Sequence, residues 1–470
     1  MRLELKAEMF SEDTYIKRRN RLKAQVGSGL ILLPGNDESP MNFAANTYPF
    51  RQDSTFLYFL GLDVPGLAAI IDLDEGTECV FGEDPSFEEI VWTGPQVLLR
   101  DRCEQVGVTC TAPRTKLEQI LTEAARQRRT VHFLPQDRPE NVLKIWRWLG
   151  VAPDTVGRHI SEPLIRAVVQ QRSVKSPEEI EQIEAALAVS YEMHTAAMRM
   201  ARPGAAEREV VAAVEAIATS HGVRTAFPTV LSTHGETLHN PCHDNVLRAG
   251  DIVVNDSGAE SPLHYASDIT RTIPVAGRFS QRQRDVYAIV QAAQEQGIAA
   301  AKPGVEWRQV HRLAAVALLE GLKGLGIVKG EPQEAAAAGA HTLFFPCGVG
   351  HMMGLDVHDM RSLGEDYVGY TDTITRNPEF GWRSLRLAKP VEPGFVVTVE
   401  PGIYFMPHLI DRWRAESKCD QFIDYGRLEA WRDFRGVRIE DDIVITEHGC
   451  RILGPRVATT IEEVEALACS

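Results

Sequence analysis

The chain has 470 residues, 44% hydrophobic and 24% charged, a length for two or three domains at ~100–200 residues each. Its 50 Lys+Arg against 65 Asp+Glu leave a formal charge of −15, and an acidic chain without a basic run lacks the positive surface that a nucleic-acid backbone requires. No apolar run approaches the ~18–20 residues of a bilayer span, residues 1–8 are charged with no signal-peptide core, and eight scattered cysteines form no CxxC pair. These features exclude membrane-spanning and disulfide-framework classes and predict a protein of the reducing cytoplasm with free thiols.

Taken in chain order, residues 1–160 read as mixed α/β. Gly29 to Pro34 and Ala68 to Asp72 are short apolar runs between turn signals, and Val142 to Leu149 fits a helix. A restart follows. Ser176, Pro177 and Glu179 form a capping box, opening a helix with Ile180, Ile183, Leu187 and Met193 that Pro203-Gly204 stops. The domain boundary is therefore placed at about 165–176. A second helix runs from Glu207 to about Gly222. Strands then dominate to about 275, including Ile252 to Asp256. Two helices, 281–301 and 306–324, precede strands at 343–358, 394–405 and 437–453. Glu334 and the alanines after it are a structural stretch. Two helices followed by strands, twice over, predict an internally duplicated α+β domain.

Five oxygen or nitrogen donors sit at or beside these strands: Asp256, Asp268, His351, Glu400 and Glu440. Glu400 closes the apolar run Phe395 to Val399, so its carboxylate is buried, which is costly unless it is paired or coordinated. Arg438 shares a strand face with Glu440, and a plain ion pair is the alternative reading there. Taken together, four carboxylates carry a charge that two divalent cations neutralise, the donor set of a two-metal hydrolase. One histidine among four carboxylates is a hard, oxygen-rich set that favours Mn²⁺, with Co²⁺, Fe²⁺ or Zn²⁺ as alternatives.

Asp256-Ser-Gly, Ser267-Asp268-Ile-Thr-Arg-Thr, Gly350-His351 through His358-Asp, Val399-Glu400-Pro-Gly-Ile-Tyr404 and Val437-Arg438-Ile-Glu440-Asp resemble, in order, the five metal-ligand motifs of the pita-bread metallopeptidases. That family contains methionine aminopeptidase, aminopeptidase P and prolidase, and the resemblance is closest to the proline-specific branch. It covers about 175–455 and extends to the N-terminal region through Tyr48 to Gly61. The resemblance implies an N-terminal α/β domain of the aminopeptidase P/prolidase type over 1–170. It also implies a pita-bread catalytic domain over 171–470.

By the family pattern the five ligands hold two metal ions around a bridging hydroxide nucleophile, with Asp268 and Glu440 bridging. Glu400 also accepts the water's proton and helps protonate the leaving proline nitrogen, a tertiary amide nitrogen. His239 matches the histidine that contacts substrate, with His243 as its rival, and His358 matches a further substrate-side histidine. Tyr404 and Arg438 match residues that orient the Glu400 and Glu440 region. Arg386 resembles the prolidase arginine that grips a dipeptide's carboxylate.

Three departures stand out. The Asp256–Asp268 spacing is one residue longer than is common, an excess placed in the Ala259–His264 turn. Cys347 stands where proline-specific enzymes commonly carry a histidine, so a substrate contact there is altered. The stretches Met360 to Trp382 and Met406 to Gly436 are long inserts expected to wall the cleft. The implied activity is cleavage of an N-terminal Xaa-Pro bond, with Xaa-Pro aminopeptidase ahead of Xaa-Pro dipeptidase. The expected partners are a peptide with proline at its second position and a second copy of the chain, as a homodimer or higher homo-oligomer. Neither nucleic acid nor membrane is expected as a partner. A non-catalytic binding protein on the same fold, or a metal-free creatinase-like hydrolase, would lack the full ligand set.

Overall fold

The structure, a computed structural model, describes residues 9–470, so the charged segment 1–8 lies outside the described residues. The chain divides into two compact units. One comprises the chain up to Arg172 together with Arg361–Tyr367, the other Ser173–Met360 and Val368–Ser470.

The first unit is built on strands β1 (Leu30–Pro34), β2 (Ala68–Asp72), β3 (Thr77–Phe81), β4 (Cys110–Ala112) and β5 (Val131–His132). They form one mixed sheet in the order β4-β3-β2-β1-β5. Alternation along the strands puts Leu30, Leu32, Ala68, Ile70 and Phe81 into one core. Leu117, Leu121 and Ala124 of the helix Arg114–Arg126 and Ile145 of the helix Pro139–Leu149 close that core. The apolar runs at 29–34 and 68–72 are therefore strands, and 142–149 lies on a helix, as the sequence predicts. The expectation of unpaired cysteines fails here. Cys79 and Cys110 face each other across the parallel β3–β4 pair, with Cα atoms 4.6 Å apart, and form a disulfide. Thirty-one residues separate them in sequence; only the strand register brings them together.

In the second unit, helices Pro177–Met200 and Glu207–Ser220 precede β6 (Val230–Ser232), β7 (Ile252–Ser257) and β8 (Ile269–Pro274), an antiparallel sheet in the order β6-β7-β8. The Ser176 N–H donates to the Glu179 carboxylate at 3.0 Å, one arm of the expected capping box. Helices Gln281–Ala300 and Trp307–Gly324 open the second half. It continues into β9 (Val396–Val399), β10 (Gly402–Tyr404), β11 (Gly436–Arg438), β12 (Asp441–Ile445) and β13 (Cys450–Ile452). These strands form the sheet β13-β12-β9 and the pair β10-β11. A helix pair and a sheet thus occur twice, the predicted duplicated α+β arrangement.

The two halves are joined at β8. Thr270 bridges to Glu440, and the Arg271 guanidinium, 0% exposed, donates to the Glu440 and Val457 carbonyls and to the Asp441 carboxylate.

The strand predicted at 343–358 is absent. The segment runs beside β9 and exchanges main-chain bonds through Val349, His351 and Met353, but its one bridge is Met352 to Val397. A Cβ at Gly350 would lie 1.9 Å from the Thr398 carbonyl oxygen, so the backbone approaches too closely for a regular side-chain-bearing strand.

His311 and His341 are both 1% exposed and share an aromatic box with Phe345 and Trp382. Burial holds the His341 imidazole down to about 4 and His311 down to about 3. A pKa depressed on folding supplies stability above the unfolded value of about 6.5 that is lost as pH falls toward the folded value. By pH 5 the His341 share of that loss is about 2 kcal/mol. His341→Phe is expected to remove it. Urea unfolding at pH 7 and pH 5 should show a drop in stability smaller by about that amount in the variant. An unchanged drop would show that His341 does not titrate this way.

Candidate metal centre

Asp256 is the penultimate residue of β7, Asp268 immediately precedes β8, Glu400 follows β9, and Glu440 lies between β11 and β12. His351 comes from the glycine-rich segment beside β9. Strand ends from both halves therefore deliver the donors. All five line one cavity of about 410 Å³, together with His239, Cys347, His358 and Arg438. One ligand atom from each of Asp268, His351 and Glu440 falls within a 4.8 Å cluster. His351 Nε2 lies 3.5 Å from Asp268 Oδ2 and 3.4 Å from Glu400 Oε1.

Hydrogen bonds orient the donors. His351 Nδ1 donates to the Met352 carbonyl at 3.1 Å, which leaves Nε2 with its lone pair toward the carboxylates, the arrangement of a metal-binding imidazole. Burial, with the Arg386 charge, pushes its pKa down to about 3, so the ring is neutral. Thr270 Oγ1 donates to Glu440 Oε2 at 2.6 Å, and Thr398 Oγ1 donates to Glu400 Oε1 at 3.2 Å. The Asp268 N–H donates to Asp442 Oδ2 at 3.0 Å.

Arg438 does not take Glu440 as its ion-pair partner. Its guanidinium pairs with Asp256 and donates to Thr270 Oγ1 at 3.0 Å and to the Tyr404 hydroxyl at 3.1 Å. The β10–β11 register explains this: Arg438 stands opposite Gly402 and reaches across toward β7 and β8.

Burial raises the Asp268 and Glu440 carboxyls well above their ordinary range, and neighbouring carboxylates raise them further. Burial also pushes Glu400 up to about 7. Asp256 adds to that rise, while Arg438 and Arg386 oppose it. So many buried carboxylates repel one another unless cations lie among them.

The orphaned atoms agree with this. Asp256 Oδ1, Asp268 Oδ1 and Glu440 Oε1 are buried without a hydrogen-bond partner. Buried oxygens of this kind are rare in proteins and need a partner. Three unused carboxylate oxygens and a neutral imidazole in one cavity fit divalent cations.

The remaining candidates divide. His239 and His358 line the cavity, and the His358 ring meets His351 edge to face at 4.4 Å. His243 does not line it; its Nδ1 is engaged by the Leu231 carbonyl at 3.0 Å. Tyr404 is fully buried behind Arg438, outside the wall. Cys347 lines the cavity, and burial, with Glu400, pushes its thiol up to about 12. Arg386 is not a wall residue, although its charge acts on His351 and Glu400.

The inserts Met360 to Trp382 and Met406 to Gly436 contribute no residue to the wall, contrary to expectation. Phe227, Pro228, Val230, Leu238 and Val357 supply its apolar part instead. In the Ala259–His264 turn, the chain accommodates a left-handed His264 (φ 67°) between the bridge partners Glu260 and Ala266.

Sequence reading missed Thr270, Thr398 and Asp442. Each lies two residues from a candidate ligand, and strand alternation alone would have placed Thr270 and Thr398 on those candidates' faces.

Comparison with known proteins agrees with this geometry. Residues 181–447 match the model of metallopeptidase family M24, and residues 15–132 match that of the aminopeptidase P N-terminal domain. The Xaa-Pro dipeptidase of Homo sapiens is 32% identical over 95% of this chain and 90% of that protein. The Uncinocarpus reesii protein named Probable Xaa-Pro aminopeptidase PEPP is 30% identical over 94% and 90%. A substrate complex of Escherichia coli aminopeptidase P superposes with a TM-score of 0.79, at 28% identity, over 98% of both chains. The chain belongs to metallopeptidase family M24, with the pita-bread fold and an aminopeptidase P-type N-terminal domain. It is thus a hydrolase of the aminopeptidase P/prolidase kind, a family whose chemistry uses divalent metal ions. No helix among the described residues is long and apolar enough to cross a membrane.

Proposed function

We propose that this chain is a dinuclear-metal hydrolase of N-terminal Xaa-Pro bonds, an Xaa-Pro aminopeptidase. The observation that carries the reading is the set of orphaned, buried carboxylate oxygens of Asp256, Asp268 and Glu440 in one cavity with His351 and Glu400. In this reading 1–170 is the auxiliary domain and 171–470 the catalytic one. Asp256, Asp268, His351, Glu400 and Glu440 hold the ions, and the hard donor set favours Mn²⁺. Divalent ions there act as Lewis acids and bring a water's loss of a proton into the neutral range.

The protein's own groups do the rest. Glu400, held by Thr398, takes the proton from the attacking water and returns it to the proline nitrogen, which has no N–H of its own. His239 and His358 face the substrate and donate to its carbonyl oxygen as charge develops. Arg438 anchors Asp256, and Tyr404 backs Arg438. Cys347 replaces a histidine contact with a neutral thiol. The expected assembly is a homodimer or larger homo-oligomer in the cytoplasm. Light scattering tests the first. Thiol titration in cell extracts tests the second, since a persistent Cys79–Cys110 bond argues against a reducing compartment.

Substrate length is the open choice within this reading. Among the described wall residues the one Lys or Arg is Arg438, and Asp256 engages it, so the wall offers a dipeptide carboxylate no permanent cation of its own. That supports the aminopeptidase. The second reading, an Xaa-Pro dipeptidase, rests on Arg386, whose charge reaches His351 and Glu400. Ala-Pro and Ala-Pro-Gly-Gly, assayed with Mn²⁺ and in EDTA, decide between them. The aminopeptidase cleaves the tetrapeptide, and Arg386→Ala changes its KM less than threefold. Dipeptide-only cleavage, with KM raised at least tenfold in Arg386→Ala, establishes the dipeptidase. Equal activity in EDTA defeats both.

A further inference from the structure

The loop that carries His239 is tied at both feet to one buried carboxylate. Glu207 opens the helix Glu207–Ser220 and is 0% exposed. Its Oε1 accepts from Ser232 Oγ at 3.1 Å, from the Thr233 N–H at 2.7 Å and from Thr233 Oγ1 at 3.2 Å. Its Oε2 accepts from the Asn245 N–H at 3.3 Å and from Asn245 Nδ2 at 2.9 Å. The main chain adds two bonds to the same foot, from the Glu207 N–H to the Asn245 carbonyl and from the Arg208 N–H to the His243 carbonyl. Residues 232–233 and 245, which bound the loop, therefore converge on a single side chain.

A relay leads from there into the site. The Ser232 hydroxyl has one proton and gives it to Glu207, so its lone pairs accept: from Asn240 Nδ2 at 3.0 Å and from the His234 N–H at 3.1 Å. Asn240 is the neighbour of His239, and both line the cavity with Leu238 and Pro241. A carboxylate this deeply buried costs stability unless donors fill its lone pairs. Here five donors do so, and all of them belong to this loop and its feet.

We propose that Glu207 is a positioning residue that acts through Ser232 and Asn240 to fix His239 over the metal-ligand cluster. The proposal rests on the substrate-side role given to His239 above.

Glu207→Gln tests it, because each carboxylate oxygen accepts from at least two donors and an amide NH₂ at either position meets N–H groups head on. Hydrogen exchange of the amides of 234–244 is expected to rise at least tenfold, with exchange elsewhere and bound Mn²⁺ unchanged. kcat/KM for Ala-Pro-Gly-Gly is expected to fall at least tenfold. In a His239→Ala background the same substitution should lower kcat/KM less than twofold, because the positioned group is gone. An equal loss in both backgrounds, or unchanged loop exchange, overturns the proposal. If Glu207→Gln does not fold, Ser232→Ala takes its place, since it cuts only the relay and leaves Thr233 and Asn245 on Glu207. The same loop-limited exchange and the same dependence on His239 are then required, and their absence overturns the proposal. If the wild type cleaves no Xaa-Pro substrate, the functional reading fails, while the exchange measurement still decides whether Glu207 holds the loop.

Discussion

Glu400→Gln is expected to lower kcat on an Xaa-Pro substrate by about 10²–10⁴-fold, the range for removal of a positioned acid–base group. The substitution keeps the size of the side chain and one oxygen toward the cluster, so it removes the proton acceptor more completely than it removes a donor atom. The environment of Glu400 suits that role. Thr398 Oγ1 donates to its Oε1 at 3.2 Å, and His351 Nε2 lies 3.4 Å from the same oxygen, so the carboxylate is held at the cluster. The expected result has two parts: bound metal, measured by mass spectrometry, stays near the wild-type level while kcat collapses. A variant that keeps kcat within threefold would remove Glu400 from the proton path. A variant that loses metal and activity in parallel would reduce it to a ligand.

Arg271→Ala is expected to cost about 3–5 kcal/mol, the usual penalty for removing one partner of a buried ion pair. Arg271 is 0% exposed and donates to Asp441 Oδ1 at 2.7 Å, to Thr459 Oγ1 at 3.0 Å and to the carbonyls of Thr270, Glu440, Val457 and Ala458. Without it, Asp441 keeps only the Gln294 amide, and several carbonyls lose their donor. The loss falls where β8 meets the Glu440 segment, so the cluster should loosen with the fold. Urea unfolding of the metal-free protein gives the magnitude. A loss under about 1 kcal/mol would mean that water replaces the guanidinium at no cost, contrary to its burial. Against a typical total of about 5–15 kcal/mol, the expected loss is a large fraction.

Both predictions concern residues of the sequence motifs, yet the motifs do not say why they matter. Arg271 reads from sequence as one residue of Ser267-Asp268-Ile-Thr-Arg-Thr. Its six-partner staple needs segments from 440 to 459 folded back onto β8. Glu207 reads as the start of a helix, and its hold on a loop that ends at Asn245 is invisible until the chain closes.

What the sequence determined by itself was local or ordered along the chain. Apolar runs at 30–34, 68–72 and 252–256 become strands because their side chains suit a pleated, buried surface. The helix at Pro177 begins there because Ser176, Pro177 and Glu179 act within one turn. Four of the five metal-ligand candidates were legible because they sit at or beside a strand end, where a short motif sets their direction, and His351 was legible only from its glycine-flanked motif. Only the tertiary structure decided the rest, which depends on contacts between segments distant in the chain. Register paired Cys79 with Cys110 against the compositional expectation. Close approach of Gly350 to β9 broke the strand predicted at 343–358. Arg438 found Asp256 rather than Glu440, two residues away. The long inserts stayed out of the cavity wall, which Phe227, Pro228, Val230, Leu238 and Val357 form instead. Alternation and capping act over two to four residues, whereas register, ion pairing and cavity walls are set when segments distant in the chain meet.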